Sequence, residues 1–317
     1  MSAKKIIYSI ALISFSSILI FSACKKKKDP EPIAVQTPDA QGGTDSREAQ
    51  GENDAAVNEI NEVISNSKRA SGRSSSTEAT TGICGFDVDS VKITQDTILL
   101  KYNGVTCLNR KRTGVIRLTW QHGTKWKNIG AVIKVEYLNY KVLRPSDQKS
   151  VMLNGTQNLT NVSGGTWIDL VFFNQALITT VTGSNLQVTF EDSKTAIYNI
   201  NRKLTYTFPN GIITAKAEGI GNNGTAANLE NYGTTRNGDV FISQVTTPII
   251  WNITCGGAVL QGAVTVSNTT KNVDLKFLYG VDASGNIQTV AANDCPYGWK
   301  LEWTFNGNSN SKVISYK

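Results

Sequence analysis

Trp299-Lys-Leu-Glu-Trp-Thr-Phe305 decides the fold class of this chain. Trp299, Leu301, Trp303 and Phe305 fall on one side of an extended segment, and Lys300, Glu302 and Thr304 fall on the other. A period of two with one apolar and one polar face belongs to a strand in an antiparallel sheet that is wet on one side. The same pattern recurs upstream. Val273, Leu275, Phe277 and Tyr279 alternate with Asp274 and Lys276, and Leu204, Tyr206 and Phe208 alternate with Lys203, Thr205 and Thr207. Leu186, Val188 and Phe190 repeat it, as do Ile133, Val135 and Tyr137 against Lys134 and Glu136, and Ile116, Leu118 and Trp120 against Arg117 and Thr119. Asn-Gly pairs at 103–104, 154–155, 210–211, 237–238 and 306–307 read as turns between strands. No long helical period follows residue 82, so a parallel βαβ architecture is excluded. The expectation is an all-β body over 82–317, a mainly antiparallel sandwich or a strongly curved sheet. It reads as one unit or as two similar halves, since Gly114-Val-Ile-Arg-Leu-Thr after Cys107 echoes Gly262-Ala-Val-Thr-Val-Ser after Cys255.

The other end of the chain carries an address. Lys4 and Lys5 precede an apolar run from Ile6 to Phe21, and Ser22-Ala23-Cys24 closes it. The run is short for a membrane span. It resembles a bacterial lipoprotein signal, in which residues 1–23 are removed and Cys24 is acylated. The expected place is the outer membrane, lipid-anchored, at the periplasmic face or the cell surface. Lys25–Lys28 would meet anionic head groups at roughly 1 kcal/mol each. Residues 24–81 are rich in Pro, Gln, Gly, Ser, Asp and Glu and read as a disordered, flexible tether. A coil of that length spans roughly 40 Å. Within it, Val57, Ile60, Val63 and Ile64 recur at helical spacing and predict a short helix at 53–68, which docks on the body or frays.

Four further cysteines, Cys84, Cys107, Cys255 and Cys295, read as two disulfides in an exported chain. Three pairings exist. Cys84–Cys107 with Cys255–Cys295 closes the shorter loops. A zinc site is the weaker rival, because there is no C-x-x-C and His122 is the only histidine. No metal ligand set and no cofactor are expected.

The net charge is +7. The bases are scattered apart from Arg110-Lys111-Arg112, which describes a solvated surface, or one that attracts anionic glycan or lipid. No nucleic-acid motif is present. Gly219-Ile-Gly221-Asn-Asn-Gly224 matches G-x-G-x-x-G but lacks a βαβ setting, so it reads as a hairpin loop. Ser65-Asn-Ser-Lys68 and Ser146-Asp-Gln-Lys149 match S-x-x-K without partner motifs. Asp87 with Asp89, and Glu191 with Asp192, are the carboxylate pairs a glycosidase could use. Of six tryptophans, Trp120, Trp299 and Trp303 lie on apolar strand faces and are expected in the core. Trp126 and Trp167 lie in polar, Gly-rich surroundings and are the candidate glycan-binding platform.

Two stretches carry a resemblance. They are Gly104-Val-Thr-Cys107-Leu-Asn-Arg110-Lys-Arg112-Thr-Gly114, continuing to Leu153-Asn-Gly155-Thr156, and Asn293-Asp-Cys295-Pro-Tyr-Gly298 with Trp303-Thr-Phe-Asn306-Gly307. The chain resembles uncharacterised secreted lipoproteins of Bacteroidetes-type bacteria. That resemblance implies an all-β envelope lipoprotein and supplies no functional residue beyond Cys24. In that group, acids directly after the cysteine resemble a surface-export signal, and here Lys25–Lys28 come before Asp29 and Glu31. The functional expectation is a non-catalytic binding or structural module of the envelope. Its partners would be the membrane through the anchor and glycan or an envelope protein through loops, with no nucleic acid. A glycan hydrolase with paired carboxylates and a hydrophobic-ligand carrier are the alternatives.

Overall fold

The computed structural model describes residues 38–67, 91–93, 96–107, 109–255, 258–288, 294–305 and 308–316. Cys24, Cys84, Asp87, Asp89 and the tether on either side of 38–67 lie outside the described residues.

A helix, α1 (Pro38–Asn66), comes first. Among the described residues, fourteen strands follow. The first seven are β1 (Val91–Ile93), β2 (Thr97–Cys107), β3 (Arg110–Trp120), β4 (Ala131–Leu143), β5 (Ser150–Asn161), β6 (Leu177–Phe190) and β7 (Thr195–Thr207). A short helix, α2 (Trp167–Phe173), interrupts the connection from β5 to β6. The rest are β8 (Thr214–Gly219), β9 (Leu229–Thr234), β10 (Val240–Asn252), β11 (Val259–Asn268), β12 (Val273–Val281), β13 (Gly298–Phe305) and β14 (Asn308–Ser315).

All strands belong to one antiparallel sheet whose order follows the chain. β8 and β9 are the exception. β8 faces Arg202–Thr207 of β7, and β9 faces Ile197–Ile200 of the same strand. Both pair with β10 on the other side. They therefore run in the same direction along a single lane. The chain leaves that lane at Gly221 and returns at Leu229, where Gly221 N–H donates to Leu229 O (2.8 Å) and Leu229 N–H to Gly221 O (3.0 Å). The G-x-G-x-x-G segment is this excursion, a polar loop.

The sheet wraps the helix. Side chains of α1 reach Tyr102 on β2 and Tyr279 on β12. Nine lane spacings separate those strands, about 43 Å in a flat sheet, against a helix about 10 Å across. The curved-sheet form of the expected all-β fold follows from that mismatch. Inward residues alternate along each strand, and Ile98, Leu118, Val135, Leu159, Val188, Leu204, Phe241, Val264 and Phe277 form the core with the helix. The described residues form one compact unit.

Curvature comes from bulges, two of them at Asn-Gly pairs expected to be turns. Asn103-Gly104 lies inside β2 and Asn154-Gly155 inside β5, each at a break in register. Three further breaks lie in the neighbouring strand pairs, at Thr113/Val115, Tyr137/Tyr140 and Gly183/Leu186. Gly104, Gly114, Asn139, Gly155 and Asn185 at these breaks have φ > 0, a conformation that Gly and Asn accept, and a bulge bends its strand. Neighbouring bulges brace one another, since Asn154 Oδ1 accepts from Asn139 N–H (2.7 Å) and Asn199 Oδ1 from Asn185 N–H (3.1 Å). The Asn210-Gly211 and Asn237-Gly238 pairs do make turns, and Asn306-Gly307 lies outside the described residues.

The helix is longer than its apolar period. Val57, Ile60, Val63 and Ile64 are buried as expected. The helix starts fifteen residues earlier than the expected Asn53, at Pro38, whose fixed φ suits a first helical position. Its N-terminal half is packed on the sheet without an apolar stripe. Asp45, Ser46, Gln50 and Asn53 are at most 2% exposed. Gly42 lies so close to Thr235 that a Cβ there would stand 2.9 Å from its Cγ2. The stretch from 38 to 66 is a docked core element, not a flexible tether.

Gly114 tests the bulge account. Its φ is +94°, and a Cβ would run into the backbone carbonyl of Asn139 on β4. Gly114→Ala should destabilise the protein by about 1–3 kcal/mol, read as a lowered urea midpoint with an unchanged slope.

Candidate functional site

Two regions bring polar chemistry together, one buried along α1 and one open at its C-terminal end.

The buried region is a balanced set of four charges. Arg202 on β7 is 1% exposed and Glu230 on β9 is 0% exposed. They form an ion pair at 2.5 Å. The other Arg202 nitrogen reaches Asp54 of α1 at 3.1 Å. Arg47 of α1 pairs with the remaining Glu230 oxygen and donates to the Tyr279 hydroxyl (3.0 Å). Ser243 Oγ donates to Glu230 Oε1 at 2.8 Å. Burial pushes the Asp54 carboxyl up more strongly than Arg202 pulls it down. Burial works to discharge Arg47, and Glu230, Tyr279 and Asp54 outweigh it, so the guanidinium stays charged. Amides extend the set. Asn231 Nδ2 donates to Gln50 Oε1 (3.0 Å), Tyr137 OH donates to Asn53 Oδ1 (2.9 Å), and Gln157 Nε2 donates to the Tyr137 oxygen (2.6 Å). Arg202 Nε, Asn53 Nδ2 and Gln157 Oε1 are buried without a hydrogen-bond partner, but the contacts named here all join sheet to helix or strand to strand, so the arrangement seats the helix.

At the N-terminal end of α1, Arg236 grips Asp45 with two nitrogens, at 2.6 and 2.7 Å. It also reaches Glu191 at 3.1 Å and Asp192 at 3.2 Å and lies over the Phe190 ring. Backbone N–H groups and Arg236 outweigh the desolvation of Glu191 and Asp192 and hold both carboxyls below the usual range. This expected glycosidase pair is thus two anions on one arginine, with neither acid tuned to donate a proton. Burial, by contrast, pushes Asp45 up to about 6.

The open region is a groove of about 420 Å³. Asn58, Glu59 and Glu62 of α1 form one wall, Trp167 and Val171 of α2 a second, and Tyr206, Ile213, Ala215 and Trp251 the sheet side. The backbone N–H and hydroxyl of Thr166 both donate to the Asp169 carboxylate (2.7 and 2.8 Å), which starts α2 in place. Trp167 and Val171, one turn apart, then line the groove, while Phe172 and Phe173 stay exposed. Trp167 stands edge-on to Tyr206, with ring centres 4.9 Å apart, and the Tyr206 hydroxyl donates to Asn58 Oδ1 at 2.7 Å. Glu59 accepts from Tyr102 OH (2.9 Å) and pairs with Arg112 (3.2 Å). Glu62 stands at the rim, where partial desolvation raises its carboxyl.

The expected platform divides. Trp167 lines the groove, half-buried. Trp126 is 5% exposed, so it presents no stacking face. Asn161 Nδ2 fixes its loop by donating to the Trp126 carbonyl at 2.7 Å. Trp120 is buried, and Trp299 and Trp303 are half-buried. Cys255 and Cys295 form the expected disulfide, and Cys107 is also disulfide-bonded, to a partner outside the described residues. His122 is exposed beside Asp96, at 3.1 Å. Ser146 accepts a hydrogen bond from Asn109 and Lys149 pairs with Glu48, so the S-x-x-K match joins no nucleophile to a base. Sequence reasoning missed Trp251, Tyr206, Glu59 and Glu62. The helical period of 53–68 was the available signal for the two acids, since it places both on one flank of α1.

A wider depression of about 550 Å³ lies on the outer face of β11 to β14. It is shallow and mostly polar, lined by Thr265, Asp274, Lys276, Thr304, Ser309 and Ser311 among others, and its Glu302 is already held by Lys276 at 3.5 Å and, from beside it, by Lys300 at 2.8 Å. The groove beside α2 is the candidate site.

No family model, curated protein or solved structure matches this chain. The residues themselves carry the functional argument.

Two outcomes follow from the buried charges. Glu230→Ala leaves Arg202 buried beside Asp54 alone and should cost about 3–5 kcal/mol in chemical denaturation. Asp45 gives a pH signature. Its folded pKa of about 6 lies above the unfolded value of 3.8. The folded state therefore binds the proton more tightly, and this group's contribution is fully present below about pH 4. It is lost as pH rises to about 6 and is level beyond. Subtracting the stability–pH curve of Asp45→Asn from that of the wild type should reveal a fall of about 3 kcal/mol at most across that window.

Proposed function

We propose that this chain is a lipid-anchored cell-envelope protein whose β body is a non-catalytic binding module, with its ligand seat in the groove between α1, α2 and Trp251. The observation that carries the reading is the groove's construction. Its volume of about 420 Å³ falls in the range of small-molecule sites, and its walls are aromatic and aliphatic with a few polar groups at one side. Anchoring at Cys24 rests on the signal-like N-terminus and on the resemblance to envelope lipoproteins.

The alternatives have less support. Hydrolysis needs two carboxyl groups with opposed proton affinities facing one cleft. Glu191 and Asp192 are both engaged by Arg236, and Glu59 is engaged by Arg112 and Tyr102. A carrier that cups an acyl chain needs an apolar inner sheet face, and α1 with its ion pairs occupies that face here.

Nile red, a neutral apolar dye, probes the seat. It should fluoresce on binding the wild type. Trp167→Ala and Trp251→Ala should each weaken binding about tenfold while leaving circular dichroism unchanged. Binding insensitive to both variants, or turnover of any polysaccharide by pure protein, overturns the reading. Replacing Cys24 with Ala should shift the protein out of the membrane fraction.

A further inference from the structure

The chemistry of the groove goes beyond its shape, because its charge is one-sided. Among the described residues, Glu59 and Glu62 are its only charged lining residues, and no Lys or Arg lines it. Glu59 is matched by Arg112 at 3.2 Å and by the Tyr102 hydroxyl. Among the described residues Glu62 has no cationic partner, and desolvation is the sole cause of its raised carboxyl pKa. A net negative charge is thus left over at the rim of an aromatic groove, in a protein of net charge +7. The neutral polar groups there add no second charge, since the Tyr206 hydroxyl is already spent on Asn58.

Aromatic walls reinforce that charge. Indole and phenol ring faces carry a negative quadrupole that attracts cations within about 6 Å, most strongly for tryptophan and in a partly dry setting. Trp167, Tyr206 and Trp251 supply three such rings around one space. Val171, Ile213 and Ala215 add an apolar floor that a strongly hydrated metal ion would not use. A quaternary or alkylated ammonium group has a greasy surface and a diffuse charge and satisfies both.

We infer that the groove binds an organic cation with an apolar body, its ammonium group lying between Glu62 and the Trp167, Tyr206 and Trp251 rings. This inference rests on the groove being the ligand seat. A glycan, the occupant expected from sequence, would need hydroxyl-matched donors and acceptors. The floor of Val171, Ile213 and Ala215 offers none from its side chains.

Three soluble probes of similar size separate the possibilities: benzyltrimethylammonium, neutral N,N-dimethylbenzamide and anionic benzenesulfonate. Binding is read by quenching of tryptophan fluorescence and by ligand-observed NMR on the full mature chain. The cation should bind at least tenfold more tightly than the amide, and the sulfonate more weakly than either. Glu62→Gln lies at the rim and keeps the side chain's shape. It should bring the cation within about threefold of the amide while leaving the amide's affinity unchanged. Equal binding of cation and amide to the wild type, or an unaltered cation preference in Glu62→Gln, overturns the charge inference while the groove stands as the seat. Failure of all three probes to bind, or binding unaffected by Trp251→Ala, removes the seat and the inference together.

Discussion

The structure depends on a salt bridge at its centre. Arg202 and Glu230 are both nearly inaccessible to water, and each also holds a charge on α1. Taking an isolated ion out of water costs several kcal/mol even after relaxation. Neither residue could stand on the inner face of this sheet alone, nor could Asp54 and Arg47 be turned inward from the helix. The two elements are therefore conditional on each other. The sheet curls because its inner face has a polar axis to surround, and the helix forms because that face supplies its partners. Propensity alone works against the helix at its start, since each of Gly42 and Gly43 costs about 1 kcal/mol relative to alanine.

A polar interface also sets register. Apolar contacts tolerate sliding by a turn, whereas a displaced guanidinium leaves two groups unsatisfied at once. Asp45 with Arg236, Arg47 with Glu230 and Tyr279, Asp54 with Arg202, and Glu59 with Arg112 are spread over about four turns of α1. These contacts hold the last two turns of the helix at one height above the sheet. That height decides where Asn58, Glu59 and Glu62 stand relative to Trp251, so the groove is as well defined as the ladder beneath it.

The strands were legible because each has a wet face, and a period of two survives any packing detail. The helix was legible only over 53–68, where its buried face from Val57 on is aliphatic. Before that, Asp45, Ser46 and Gln50 look like solvated tail residues, and only the inward-pointing Arg202, Asn231 and Glu230 reveal otherwise. Those strand residues are polar at inward positions, a violation of the alternation that could have flagged a polar partner. The Asn-Gly pairs misled for a related reason. The backbone conformation of a hairpin turn also serves a bulge, and local sequence does not say whether the chain reverses or bends. The groove could not be read at all. Its residues come from five elements between Asn58 and Trp251, and only the curvature of the sheet brings them together.

The same architecture sets a timetable. Strand neighbours are chain neighbours nearly everywhere, so the sheet can assemble hairpin by hairpin with short closures. The helix is the reverse. Arg47 meets Glu230 across 183 residues and Tyr279 across 232. It is made first, and most of its partners are made much later. A chain synthesised or exported from its N-terminus must keep a polar, weakly helical segment unpaired until β12 has arrived, and closures of that length are slow compared with hairpin formation. Composition suits the wait. A segment with Asp, Ser, Gln and Asn on its future buried face stays hydrated while exposed, where an aliphatic helix of equal length would invite aggregation.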